Sequence, residues 1–299
     1  MRSLGQAGGP VNGWEDLTGC FSAELLKLRK RTAVWVLGGI LVAIVVLLIY
    51  GISYAVLRSP AMVGRLPPGE TSRDLMRVLF PFNFVATAAQ QTSGLGGALA
   101  VILGVLSIGS EYGWGTLKTI LSQRPSRADT FVGRLLALVV VTGVFTLLTF
   151  AACAVCSALI GALEGAGGGW PDAGEILRAF LAGWLITTFW ACFGMMLATL
   201  FQQSALAIGI GLVYSILFEG LVFGLLRGLS LVENIEKAFP GVNATALAGS
   251  FRVSGVVAER GAQAQALVGA DQAALVLAAY LLACVIVAGV VLQRRDVIG

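Results

Sequence analysis

From residue 33 onward, long apolar runs alternate with short polar interruptions. Windows of about 20 apolar residues, enough helix to cross a hydrocarbon core about 30 Å thick, occur at about 33–57, 82–109, 131–163, 176–200, 204–226 and 272–292. Ahead of them the pattern is different. Leu17, Phe21, Leu25 and Leu28 recur at helical spacing and share one face, while Glu15 and Asp16 open the segment and Lys27, Arg29, Lys30 and Arg31 close it, as the helix dipole favours. The pattern predicts an amphipathic helix over 14–31, lying along a membrane surface or forming a solvated basic collar, after a loose Gly- and Pro-containing tail over 1–13. The expected fold is an all-α membrane protein: six transmembrane helices within 32–299, preceded by the interfacial helix.

The interruption Gly109–Arg134, GSEYGWGTLKTILSQRPSRADTFVGR, is longer than antiparallel helices need. Leu117, Ile120 and Leu121 share a face, Pro125 restricts the residue before it, and Ser126 with Asp129 forms a capping pair for the next helix. A short helix crossing the inner surface, then a capped re-entry, fits this stretch. Tyr112 and Trp114 beside charges suit a protein contact surface and equally a headgroup-level aromatic belt. Between the fourth and fifth runs only about four residues are available, so those helices are expected to be antiparallel neighbours, whereas 227–271 is long enough to be structured itself. It contains Asn243-Ala244-Thr245, the pattern of a glycosylation acceptor.

Composition agrees with the pattern: 57% of residues are hydrophobic and 12% charged, too little polar surface for a soluble globule of 299 residues. The first apolar run is long enough to span and reads as a retained helix. With the N-terminus inside, eleven of the 20 basic residues (Arg2, Lys27, Arg29, Lys30, Arg31, Lys118, Arg124, Arg127, Arg134, Arg294 and Arg295) crowd the inner ends of spans. The expected localisation is the cell membrane, multi-pass, with both termini cytoplasmic.

Little in the chain is equipped for catalysis. There is no histidine, which excludes His-based nucleophile activation and the common His-rich zinc motifs, and no metal set is expected. Five cysteines form no disulfide framework, and Cys153-x-x-Cys156 inside an apolar run reads as helix contact. None of the four lysines follows a glycine, so the chain carries no phosphate-binding Walker loop. Polar groups within spans are the candidate path or gate: Gln90 and Gln91, with Thr92 and Ser93, in the second run, and Glu219 in the fifth, read either as a gate or as an interfacial acid. Glycines at 94, 96, 97, 104, 220 and 224 permit close helix approach, within the chain or across a dimer seam.

The run Glu111-Tyr112-Gly113-Trp114-Gly115-Thr116-Leu117-Lys118, followed by Leu121, Arg124-Pro125-Ser126-Arg127 and Gly133-Arg134-Leu135-Leu136-Ala137, resembles the segment after the second span in permease subunits of type-2 ATP-binding-cassette exporters. Glu24-Leu25-Leu26-Lys27-Leu28-Arg29 and Arg294-Arg295-Asp296-Val297 are similar to that family's opening and ending. The sequence departs from the family at Gly113, where a basic residue is expected, and at Pro125-Ser126-Arg127, where an extra residue often intervenes. The resemblance implies a cytoplasmic coupling helix between spans two and three, with Glu111, Tyr112, Trp114, Gly115, Thr116, Leu117, Lys118 and Arg124 meeting a separate ATPase, and re-entrant or short outer helices between spans five and six. It also implies that this chain binds no cofactor, with ATP and Mg on the partner. Expected partners are two copies of an ABC ATPase, a second permease copy or homologue, and the lipid bilayer, with no nucleic acid. The apolar walls then suggest export of a lipid-like, drug or peptide substrate. An ion-coupled secondary transporter and a non-transporting membrane anchor of an ATPase complex are the alternatives.

Overall fold

A computed structural model describes residues 13–59, 75–113, 126–165, 169–218, 236–251 and 268–294. Among these residues the chain is all-helical. Helix α1 is Gly13–Lys30. Arg31, in extended conformation (φ −77°, ψ 119°), separates it from α2, Thr32–Arg58, which is π-helical over Ile44–Ile52. The second apolar run is two helices, α3 (Phe84–Ser93) and α4 (Leu95–Gly113), entered through short 3-10 turns at Arg77–Leu79 and Pro81–Asn83. Then come α5 (Arg127–Leu163), α6 (Ala173–Phe201), and α7 (Ser204–Leu212), which continues π-helically through Val213–Phe218. A short helix α8 (Pro240–Gly249) precedes α9 (Ala270–Arg294).

Four of these helices, α2, α5, α6 and α9, are long and apolar enough to cross a membrane, and the pair around α3 and α4 makes a fifth if its 45° bend lies within one span. The bend is the main departure from the expectation of a plain helix over 82–109. It sits at Gly94, whose backbone (φ −82°, ψ −111°) leaves the helical region. The α7 segment is shorter within the described residues.

Local sequence explains the boundaries. Ser126 (φ −62°, ψ 155°) caps α5 as the Ser-x-x-Asp pattern predicts: its hydroxyl accepts from Asp129 N–H at 3.1 Å and donates to the Asp129 carboxylate at 2.6 Å. Asp172 caps α6 by accepting from Gly174 N–H at 2.8 Å. The tight α6–α7 turn requires left-handed backbone at Gln202 (φ 56°), whose N–H closes the helix on Ala198 O at 2.9 Å.

The core is built around α6, which has 61% of its apolar window buried against 22% for α9. It packs against α3, α4, α5, α7 and α9. Close approach is set by glycine. A Cβ at Gly104 of α4 would overlap the Ala191 carbonyl of α6, and one at Gly194 of α6 would overlap the Val101 carbonyl of α4. Between α5 and α6, Thr142 meets Thr188 and Thr146 meets Thr187, each pair at 2.9 Å, and Trp184 Nε1–H donates to Val139 O at 2.9 Å. Such pairs satisfy polar groups that hydrocarbon would leave bare. Cys153 and Cys156 are buried free thiols, in a cluster with Val45, Tyr50 and Phe150. Outward faces are apolar: Trp35, Leu47 and Ile52 on α2, and Leu275, Leu282 and Ile286 on α9, are all exposed.

Candidate functional site

Two regions collect the residues singled out by sequence. The first is the end of the bundle where α1, α4 and α5 meet, bracketing segment 114–125. Trp114, Gly115, Thr116, Leu117, Lys118 and Arg124 lie outside the described residues, whereas Glu111 and Tyr112 stand in the last turn of α4. The apolar stripe of α1 has a definite seat: Leu28 is buried, and Phe21 and Leu25 pack on the main core. Leu17 is half-buried, and Arg29 is exposed. The stripe therefore faces protein, with α5 as the principal neighbour of the helix. Gly133 permits this contact, since a Cβ there would stand 2.7 Å from Cys20 Cβ and 2.9 Å from Phe21 N.

On the same face lies a carboxylate that the periodicity argument passed over. Glu24 accepts from Arg134 at 2.9 Å, and Lys27 Nζ makes an ion-pair contact of 2.5 Å with its other oxygen. Arg134 is only 2% exposed. Burial tends to raise the Glu24 pKa, but the charges and hydrogen bonds of Arg134 and Lys27 outweigh it and hold the carboxyl below its ordinary 4.5. Cys20 beside it is pushed up, by burial first, although a hydrogen bond from Thr130 works the other way. The signal was in the sequence as position: Glu24 falls three residues after Phe21 and four before Leu28. Arg31 adds a second tie, its guanidinium donating to the Leu106 carbonyl of α4, while Trp35 Nε1–H donates to Arg29 O at 2.7 Å across the elbow.

The second region surrounds the break at Gly94. Gln90 is exposed and Gln91 half-buried, so these two flank the bend. Thr92 is instead spent on structure, its hydroxyl donating to Ala89 O at 2.6 Å. Ser93 touches Thr245 of α8, hydroxyl to hydroxyl at 3.3 Å. Gly96 and Gly97 serve close contact within the chain: a Cβ at Gly96 would come 2.5 Å from Gln91 O, and one at Gly97 would come 2.8 Å from the Trp190 indole. Glu219 lies outside the described residues.

Helix α8 is packed against α3, α6 and α9, with Ala244, Leu247 and Ala248 buried. Asn243, read from sequence as a glycosylation pattern, is fully buried, its amide donating to Lys237 O at 2.8 Å and Phe239 O at 2.7 Å. Helix α3 begins in the same way. Asn83 is buried and donates to Arg77 O at 2.8 Å, again six residues back, and a Phe-Pro pair stands between (Phe80-Pro81 and Phe239-Pro240). The two short helices thus share an entry built from a basic residue, Phe-Pro and a buried Asn. Sequence inspection missed this repeat because one instance has an extra residue between Pro and Asn.

No group of three or more His, Cys, Asp or Glu side chains able to hold a metal occurs among the described residues. A family model described as Protein of unknown function (DUF2705) matches residues 69–298. No curated protein matches the chain.

Proposed function

The chain belongs to the DUF2705 family of proteins of unknown function, and from its own residues and packing we propose that it is the permease subunit of a type-2 ATP-binding-cassette exporter. The observation that carries this reading is a meeting of sequence segments. The opening segment of the resemblance contributes Glu24, the segment after the second span contributes Gly133 and Arg134, and the two pack together through a buried ion pair. In an exporter, a separate ATPase would press on segment 114–125, and its displacement would pass to α4 and α5 at either end and to α1 through Glu24. Six spans are then α2, the bent pair α3 and α4, α5, α6, the helix beginning at α7, and α9. Both termini are cytoplasmic, and two permease chains pair in the membrane. ATP and Mg act on the partner ATPase, and this chain performs no chemistry itself. The apolar walls suit a lipid-like, drug or peptide substrate, with Gln90, Gln91 and Glu219 along its path.

The test is co-expression with a P-loop ATPase, sought in the neighbouring reading frames. Wild-type chain is expected to co-purify with it and to alter its ATP hydrolysis in lipid vesicles, and Trp114→Ala with Leu117→Asp to fold normally yet lose that effect. Hydrolysis unchanged by the double substitution would refute the coupling role. The break at Gly94 favours a second reading, an ion-coupled carrier, because such carriers use interrupted helices. Substrate accumulation in vesicles driven by an ion gradient, with no ATPase present, would select the carrier.

A further inference from the structure

The basic end of α1 divides its charges between two directions. Lys27 is spent on Glu24, and the Arg31 guanidinium donates to the Leu106 carbonyl of α4. Arg29 and Lys30 turn outward instead, and no acid among the described residues pairs with either. Glu24 is the only acid between Leu17 and Trp35, and it is buried. Leu26, 49% exposed, stands one turn before the two cations on the same face. Trp35 completes that face from the opening turn of α2. It is 67% exposed, and its Nε1–H donates to Arg29 O at 2.7 Å, which holds the indole back across the elbow beside the end of α1. Since the apolar stripe of α1 is covered by protein, what the elbow offers outward is two unpaired cations, an indole and one leucine.

From these observations we propose that the outward face of the α1–α2 elbow binds the headgroup of an acidic phospholipid, drawn from the leaflet that borders the start of α2. The apolar helix α2 starts at Thr32. Lys30 and Arg29 precede it by two and three residues, so at most about 11 Å of chain separates either cation from the start of the span. That reach keeps both at the level of the lipid phosphates. Tryptophan concentrates at the same level, and a cation with no carboxylate beside it favours acidic over neutral lipid by roughly a factor of five. Phosphatidylcholine carries the same phosphate, but its own ammonium offsets the charge, so the face discriminates by net charge. An acidic protein surface would meet these cations as well. The adjoining span, with Leu26 and the indole exposed beside it, favours an occupant that brings its own hydrocarbon. The inference goes beyond the exporter reading and does not rest on it: lipid retention needs no ATPase, so either can fail alone.

The test uses the detergent-purified full chain, with native mass spectrometry reading retention of phosphatidylglycerol against phosphatidylcholine of the same acyl chains. Phosphatidylglycerol is expected to be held at least about fivefold tighter, the factor that one basic residue contributes. The preference is expected to shrink as the ammonium acetate concentration is raised, because exposed charges are screened. Arg29→Gln with Lys30→Gln is expected to bring phosphatidylglycerol retention down to that of phosphatidylcholine. The unfolding midpoint is expected to stay where it was, since both side chains are exposed. Exchanging the cations, Arg29→Lys with Lys30→Arg, is expected to keep the preference. So is Arg178→Gln, which removes an exposed charge near the start of α6. Equal retention of the two lipids by the wild-type chain, or a preference that survives the double glutamine substitution, overturns the proposal. Loss of ATPase co-purification on that substitution, with lipid retention unchanged, assigns the face to a protein partner and overturns it equally.

Discussion

At the scale of single residues, the contact between Glu24 and Arg134 is the most exacting in the chain. A guanidinium with 2% exposure is stabilised by a carboxylate from a helix 110 residues away, which it shares with Lys27. Arg134→Met is expected to destabilise the protein by about 3–5 kcal/mol, and Glu24→Leu combined with it to recover most of that loss. Thermal unfolding of the purified protein measures both, and equal stability of the single and double variants would show that the pair does not act as a unit. The sign of the pH effect follows from the depressed Glu24 pKa. Its stabilising contribution is fully present above the ordinary value of 4.5 and is lost as pH falls through the lower folded value. Wild type is therefore expected to lose stability on that acid limb more steeply than Glu24→Gln, which has no carboxylate to titrate. The sequence held each partner in plain view, but no local pattern joins residues so far apart.

At the scale of elements, the apolar runs at 33–57, 131–163, 176–200 and 272–292 were legible as helices because length and hydropathy suffice to specify them. The bend within 82–109 was not, because Gly94 stands among other glycines and only the packed neighbours reveal which of them interrupts the helix. Their roles differ by what each touches. Gly104 admits the Ala191 carbonyl, whereas nothing approaches within 4 Å of the Cβ position of Gly39. Gly104→Ala is therefore expected to lower stability by about 1–3 kcal/mol through overpacking, while Gly39→Ala is neutral or mildly stabilising by helix propensity. Comparable unfolding midpoints for the two variants would show that α4 and α6 separate without cost. The apolar stripe of α1 is visible in the periodicity, but periodicity says only that a face is apolar, and here Gly133 and Arg134 supply a protein surface to cover it.

At the scale of the whole molecule, the long connection after α7 returns into the bundle as α8 and brings Asn243 to a fully buried position. Expression in a glycosylating host is therefore expected to leave Asn243 unmodified, which peptide mass spectrometry would show, and a glycan there would mean that α8 is displaced from α3, α6 and α9. The tripeptide pattern could not reveal this, since it carries no record of depth. Helix α1 shows a different kind of long-range effect. A bar pinned at one point swings freely, but one pinned at two carries torque. The α1 unit is fixed to α5 through Arg134 and, at its Arg31 elbow, to α4 through the Leu106 carbonyl. Those helices end and begin at Gly113 and Arg127, on either side of segment 114–125. A displacement of either helix end must therefore carry the other with it, because the brace across them resists their sliding past each other.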